Sequence, residues 1–134
     1  MSLPESCVAV AIMSAVIMTA TPFLTRSREN YLLAATARQV ASHLHSTRIK
    51  AVSRNRDCRL NVQSSTTYLI ECEDPDWQAV EQIAVSRGMA ISANARPEFH
   101  RRGNVSPMAT ITIRNSNGRE RRVIVNITGR VRIQ

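Results

Sequence analysis

The chain opens with MSLPESCVAVAIMSAVIMTATPFL at residues 1–24, a stretch in which Glu5 is the only charged side chain. Its uncharged part, residues 7–24, is close to the length that a helix needs to cross a hydrocarbon core of about 30 Å. A secretory signal peptide is the first alternative, but no basic region precedes the apolar run, which is also too long. A buried helix of a soluble domain is the second, but charged, amphipathic sequence starts only after residue 25. The pattern predicts a membrane helix over residues 1–25.

Glu5 stands at the start of this helix, where a carboxylate is costly unless it stays near the headgroups or is paired. It can stabilise the positive end of the helix dipole, and Pro4 suits a first helical turn. The other interpretation pairs Glu5 with a cation inside the bilayer, such as the amino terminus of a neighbouring copy. The residues themselves leave both open.

The sequence pattern of residues 26–134 predicts one α+β domain, with a helix over about 26–53 followed by strands over about 57–134. The helical segment contains no Gly or Pro and has an apolar stripe at helical spacing, which predicts packing on a sheet. This stripe consists of Leu33, Ala37, Val40, Leu44 and Ala51. His43 and His45 point in different directions, so we expect them at the surface rather than on a shared metal ion.

The first two predicted strands form a hairpin around a polar turn at residues 64–67. Folding about this turn places Cys58 opposite Cys72, and cross-strand neighbours about 4.5–5.5 Å apart are within disulfide reach. Two free thiols are the alternative. A disulfide would favour an extracytoplasmic compartment. Cys7 is left in the membrane helix, where we expect a small packing residue.

The remaining strands are predicted near residues 82–85, 89–93, 109–114 and 121–127, with a turn at Asn115–Gly118. Residues 96–107 are expected to form a loop anchored by Phe99. The acidic cluster at residues 73–76 lacks the spacing of a calcium loop and predicts a solvated loop beside Trp77. No nucleophile, metal-ligand or phosphate-loop pattern is evident, so we expect neither an enzyme nor a bound cofactor or metal.

Arginine dominates the charge of the chain. The formal net charge is +8, Lys50 is the single lysine, and residues 96–134 hold nine arginines against Glu98 and Glu120. Guanidinium groups suit two-pronged binding of phosphate or carboxylate. A period-two pattern over residues 123–133 places the apolar side chains on one face: Val123, Val125, Ile127, Val131 and Ile133.

Arg130 and Arg132 then share the solvent face of that strand, about 6.6 Å apart at two strand rises. This separation is near the spacing of successive phosphates on an extended nucleic-acid strand, and Gly129 would allow a backbone phosphate to approach. The alternative is the ordinary charged outer face of an amphipathic strand.

The opening residues around Glu5, followed by an apolar helix with Pro22, resemble the start of a mature type IV pilin or pseudopilin. Arg102-Gly103, the Thr-Ile-Thr-Ile strand at residues 110–113 and the closing Thr-Gly-Arg-Val-Arg at residues 128–132 extend this likeness. Over essentially the whole chain the sequence resembles the FimT/GspH family of minor type IV pilins and minor type II secretion pseudopilins. The resemblance implies a type IV pilin-like α+β fold, with a long N-terminal helix packed on an antiparallel sheet.

The resemblance also implies how the chain is processed and placed. Prepilin peptidase would remove a short basic leader before Met1, and Met1 and Glu5 would serve assembly with other major and minor pilins on an inner-membrane platform. The protein would cross the inner membrane once, with a periplasmic domain, before entering a pilus. Arg26 and Arg28 follow the membrane helix, and by the positive-inside rule they alone would place that domain in the cytoplasm. The basic leader would reverse this bias.

FimT-like members carry a C-terminal Gly-Arg-x-Arg motif that contacts DNA, and the matching positions are Gly129, Arg130 and Arg132. The candidates to extend this patch are Arg101, Arg102, Arg119, Arg121 and Arg122. The expected function is a minor type IV pilin that binds double-stranded DNA non-specifically during natural transformation. The alternatives are a GspH-like type II secretion pseudopilin and a pilus-priming subunit without DNA binding.

Overall fold

The computed structural model describes residues 2–134, so the expectations for Met1 lie outside the described residues. Helix α1 spans Leu3–Arg54, and the strands follow in chain order: β1 Cys58–Val62, β2 Thr67–Glu73, β3 Trp77–Ala84, β4 Met89–Ala93, β5 Glu98–Phe99, β6 Val105–Ser106, β7 Ala109–Asn115, β8 Glu120–Val125 and β9 Val131–Ile133. Paired strands are antiparallel throughout this part of the chain. The predicted α+β architecture is confirmed.

The chain divides into two compact units, one ending at Tyr31 and the other covering Leu32–Gln134. In the first unit, residues 2–28 are exposed, and α1 is long and apolar enough there to cross a membrane. Four hydroxyl groups in this stretch donate to carbonyls of the same helix, those of Ser14, Thr19, Thr21 and Thr25; Thr21 Oγ1, for example, donates to the Ile17 carbonyl at 2.7 Å. Such bonds reduce the cost of placing a hydroxyl in an apolar medium.

Ser2 and Glu5 form the helix start. The amide groups of Glu5 and Ser6 donate to the Ser2 carbonyl at 3.1 and 3.2 Å. The Ser2 amide in turn donates to Glu5 Oε2 at 3.5 Å. This reciprocal arrangement is that of a helix-capping carboxylate, so it supports the capping interpretation of Glu5.

The second unit contains two sheets, with strand orders β3-β2-β1-β5-β6 and β4-β7-β8-β9. The predicted hairpin is present as β1 and β2, in which Cys58 lies opposite Cys72 and is disulfide-bonded to it. The whole predicted helix stripe is buried, and it forms one core cluster with inward side chains from both sheets. Phe99, the expected anchor, is fully buried and belongs to this cluster.

The structure corrects three local predictions. β3 starts at Trp77, not near residue 82, and the expected loop at residues 96–107 contains β5 and β6. Trp77 pairs with the Arg59 guanidinium, whose carbon lies 4.1 Å from the ring centre. His43 is half-buried instead of solvated, because its Nδ1 lies 2.6 Å from the Tyr68 hydroxyl.

Candidate nucleic-acid interface

A tight turn separates β8 from β9, where the sequence predicted one continuous amphipathic run. The Asn126 amide donates to the Arg130 carbonyl at 3.0 Å and the Gly129 amide to the Asn126 carbonyl at 2.8 Å. Gly129 adopts φ +80°, a conformation that favours glycine, so the chain can reverse here. The prediction that Ile127 faces the core is therefore wrong: its side chain is 60% exposed in the turn.

The two motif arginines lie on either side of the start of β9. Arg130 is in the turn, and Arg132 is in the strand opposite Ile124. Both side chains are exposed, and neither forms an ion pair with any residue between 2 and 134. Their charges are thus available to an external anion. The predicted separation of about 6.6 Å assumed one extended strand, and it does not apply because Arg130 precedes the start of β9.

Gly129 faces the protein rather than the solvent. A β-carbon at this position would overlap the Gly103 carbonyl oxygen and lie 2.9 Å from Arg48 Nε. Arg48, on α1, donates from Nε to the same Gly103 oxygen at 3.0 Å. The Val105 amide also donates to the Ile127 carbonyl at 2.8 Å. Helix, β5–β6 loop and β8–β9 turn are therefore locked together, and Gly129 fixes the turn that presents Arg130.

Arg101 and Arg102 belong to the β5–β6 loop and so lie beside the β8–β9 turn. Arg101 is engaged by Asp57, with its amide 3.1 Å and its Nε 3.6 Å from Oδ1. Arg102 is exposed and has no ion-pair partner within the described chain. The structure thus brings Arg102 near the β8–β9 turn, residues 126–130, which we call the motif turn. Arg102 is a free cation there, whereas the charge of Arg101 is partly neutralised by Asp57.

Asp57, which immediately precedes β1, is the acidic residue that holds the β5–β6 loop. Burial disfavours its charge, but bonds from His100 and the Arg101 amide outweigh burial and lower the pKa of the Asp57 carboxyl. His100 Nδ1 lies 3.2 Å from Asp57 Oδ2. Asp57, Glu98 and His100 bring candidate metal-ligand atoms within 4.8 Å of one another, a grouping that the sequence did not predict. Both Asp57 oxygens already have protein partners.

The other predicted arginines lie along β8, which leads away from the motif turn. Arg122 is opposite Thr112 and diagonal to Arg132, because Ile124 pairs with Arg132. Arg121 pairs with Ile113 and so points to the other side of the sheet from Arg122, while Arg119 lies in the β7–β8 turn. The structure therefore groups Arg122 with Arg132 and separates Arg119 and Arg121 from them.

Arg114 and Glu120 complete this outer face, and neither was predicted as a site residue. Glu120 accepts bonds of 3.0 Å from Arg114 and from Arg122. Hydrogen bonds from these two guanidiniums lower the pKa of the half-buried Glu120 carboxyl. The alternation of Thr110, Thr112 and Arg114 along β7 was the sequence signal that could have placed Arg114 here.

Comparison with known proteins identifies the family. The family model described as "Type II transport protein GspH" matches residues 36–129, which is more than half of the chain. The chain belongs to the GspH family. The resemblance to GspH/FimT-type minor pilins and pseudopilins is thereby confirmed. No curated protein sequence matches the chain.

Solved structures share the fold of this GspH-family chain. The minor pseudopilin EpsH of the Vibrio cholerae type 2 secretion system superposes with a TM-score of 0.66 at 14% identity, covering 76% of this chain and 95% of EpsH. The type IV minor pilin FimU of Pseudomonas aeruginosa gives 0.64 at 18% identity, covering 84% and 92%. Escherichia coli GspH gives 0.62 at 13% identity, covering 82% and 88%. The predicted pilin-like fold is confirmed.

Proposed function

We propose that this GspH-family chain is a minor type IV pilin that captures double-stranded DNA through Arg130 and Arg132 during natural transformation. The observation that carries the proposal is a pair of exposed arginines without an ion-pair partner in residues 2–134: Arg130 in the turn that is locked to α1, and Arg132 in the strand that follows it. The locked turn fixes the backbone from which the Arg130 side chain extends before DNA arrives. Less conformational entropy is then lost on binding.

The chemistry favours duplex DNA of any sequence. Arginine–phosphate contacts supply affinity and salt dependence without reading bases. Aromatic residues make up 4% of the chain, and Trp77 is occupied by Arg59. Base stacking, the usual source of single-strand affinity, is therefore a minor contribution. In this proposal the chain acts by binding and assembly, with no catalytic step.

Assembly would use the N-terminal half of α1. The apolar segment would hold the chain in the inner membrane, with Leu32–Gln134 in the periplasm, where the disulfide is stable. Prepilin peptidase and the inner-membrane platform would be its processing and assembly partners. Glu5, which caps the helix, would also neutralise the amino terminus of an adjoining pilin within the fibre.

A structural role in a type II secretion pseudopilus is the second candidate, and the match to the GspH family model favours it. In that case the arginines are a solvated surface, and duplex DNA is not a partner. A pilus-priming role would instead place the basic turn against an acidic neighbouring minor pilin.

The deciding experiment titrates labelled duplex DNA with the full chain in nonionic detergent at two salt concentrations. The test variant is Arg130→Gln/Arg132→Gln. The matched control, Arg38→Gln/Arg54→Gln, removes the same charge from exposed positions of α1. We expect the test variant alone to lose most binding and to flatten the slope of log K against log salt by about 2, as for two lost phosphate contacts. Equal losses in both variants, or no binding by the parent at low salt, would refute DNA capture by the motif.

A further inference from the structure

The outer face of the β4-β7-β8-β9 sheet carries polar side chains in register across its strands. Ser92 on β4 pairs with Thr112 on β7, and Thr112 pairs with Arg122 on β8. Arg122 and Gln134 exchange backbone bonds of 3.0 and 2.8 Å, so the row continues past β9. Hydroxyl, guanidinium and amide groups thus form one line across the sheet.

The neighbouring row connects this line to the DNA-binding motif. Thr110 pairs with Ile124, and Ile124 pairs with Arg132. Both rows face outward because the alternate residues on β7 and β8 are buried: Ile111, Ile113, Val123 and Val125. Arg132 and Arg122 therefore share one surface, which continues to Arg114.

This surface is a shallow open groove lined by Ser92, Asn94, Thr110, Thr112, Arg114, Glu120 and Arg122. Hydroxyl, amide and guanidinium groups are the ones that proteins direct at phosphate and sugar oxygens of DNA. Glu120 is the one acidic group among the lining residues. Its carboxylate lies between Arg114 and Arg122, 3.0 Å from each.

We infer that duplex DNA held at Arg130 and Arg132 continues across this groove, and that Glu120 attenuates its binding by occupying Arg114 and Arg122. The inference rests on the proposed function and extends the same interface. Each arginine gives one terminal nitrogen to the Glu120 carboxylate, so a phosphate that takes that nitrogen in a two-pronged contact must displace the carboxylate. The same carboxylate also repels the DNA backbone. The occupant is a phosphodiester backbone because Arg122 of the groove lies diagonal to Arg132 on the same outward face, and because the guanidiniums of the groove offer complementary charge.

Glu120→Gln removes the negative charge and preserves the shape of the side chain. Two guanidiniums then become available to phosphates, so we expect duplex affinity at low salt to rise about 3- to 10-fold and the salt slope to steepen by about 1 to 2. Glu81→Gln is the matched control. Glu81 lies on β3 of the other sheet, pairs with Lys50 at 3.5 Å, and its loss changes the net charge equally.

The experiment measures duplex binding by the full chain in nonionic detergent for the parent, the two Glu variants and Arg114→Gln/Arg122→Gln. Thermal unfolding confirms that each variant is folded. Tighter binding by Glu120→Gln alone, with weaker binding by Arg114→Gln/Arg122→Gln, supports the inference. Equal tightening in both Glu variants overturns it, because net charge would then be the cause.

The inference also fails if Glu120→Gln binds like the parent while Arg130→Gln/Arg132→Gln loses binding. That result leaves the proposed function intact and confines the DNA to the motif turn. A parent that binds no duplex at low salt overturns both the inference and the proposed function.

Discussion

Gly129 faces the carbonyl oxygen of Gly103 so closely that a β-carbon on Gly129 would overlap it. The same β-carbon would also lie 2.9 Å from Arg48 Nε, the donor to that carbonyl. The glycine that precedes Arg130 is therefore required by packing as well as by its positive φ. The motif turn and the β5–β6 loop can join only where residue 129 lacks a side chain.

Gly129→Ala should destabilise the domain more than a positive φ alone can explain. Gly118→Ala is the matched control, because Gly118 has φ +81° but a β-carbon there would meet no atom within 4 Å. We expect a loss of about 1–2 kcal/mol for Gly118→Ala, from backbone strain. Gly129→Ala should lose about 1–3 kcal/mol more, as in overpacked sites. Unfolding followed by Trp77 fluorescence measures both, and equal losses would contradict the packing role.

Arg48→Gln should loosen the motif turn without removing a predicted DNA contact. It breaks the Nε bond to Gly103, so the amides of Val105 and Gly129 should exchange faster with deuterium. Amide exchange reports local opening directly. Arg38→Gln removes the same charge from an exposed position of α1 and should leave both amides unchanged. If both variants exchange like the parent, Arg48 does not hold the turn.

Sequence periodicity was sufficient to predict the helix, the apolar stripe that it buries and the pairing of Cys58 with Cys72 across the hairpin. Each of these depends on local spacing, either 3.6 residues per helical turn or the symmetry of a hairpin. The turn at Gly129 was missed because the apolar pattern of residues 123–133 continues through it. Two strands that pair as a hairpin can show the same alternation as one long strand.

The contacts among distant residues had no sequence signal. Arg48 meets Gly103 across 55 positions of the chain, and nothing around either residue indicates the other. Glu120 was counted only as an acidic residue among arginines, although its place between Arg114 and Arg122 decides how many of them are free. Composition showed the excess of arginine and the family resemblance indicated the motif at Gly129–Arg132, whereas the geometry of the motif required the fold.

Removing the disulfide should destabilise the domain, because the unfolded chain gains conformational entropy when the cross-link is lost. Cys58 and Cys72 are separated by 14 positions, and a loop of this size corresponds to about 3 kcal/mol of closure entropy. Cys58→Ser/Cys72→Ser should therefore lower the free energy of unfolding by that amount. Cys7→Ser, at an exposed free cysteine, should not change it. Denaturant unfolding with and without a reducing agent is the measurement, and an unchanged midpoint in the double variant would contradict the prediction.

Tyr68 should make the domain sensitive to alkaline pH. Burial and the charge of Glu81 raise the pKa of Tyr68 to about 12, from the ordinary value of 10.0. Because the folded-state pKa is the higher one, the unfolded chain loses this proton first as the pH rises. The contribution to stability is complete below pH 10.0, and it is lost as the pH rises towards about 12.

Tyr68→Phe should remove that alkaline loss and lower stability at neutral pH by about 1 kcal/mol, because His43 Nδ1 loses its partner at 2.6 Å. Tyr31→Phe is the control, since Tyr31 is 69% exposed. Denaturant unfolding between neutral pH and a pH of about 12 measures the effect, and the difference in tyrosinate absorbance between the parent and Tyr68→Phe reports the titration of Tyr68. A parent in which Tyr68 ionises near pH 10.0 would contradict the assignment, because burial would then not have raised its pKa.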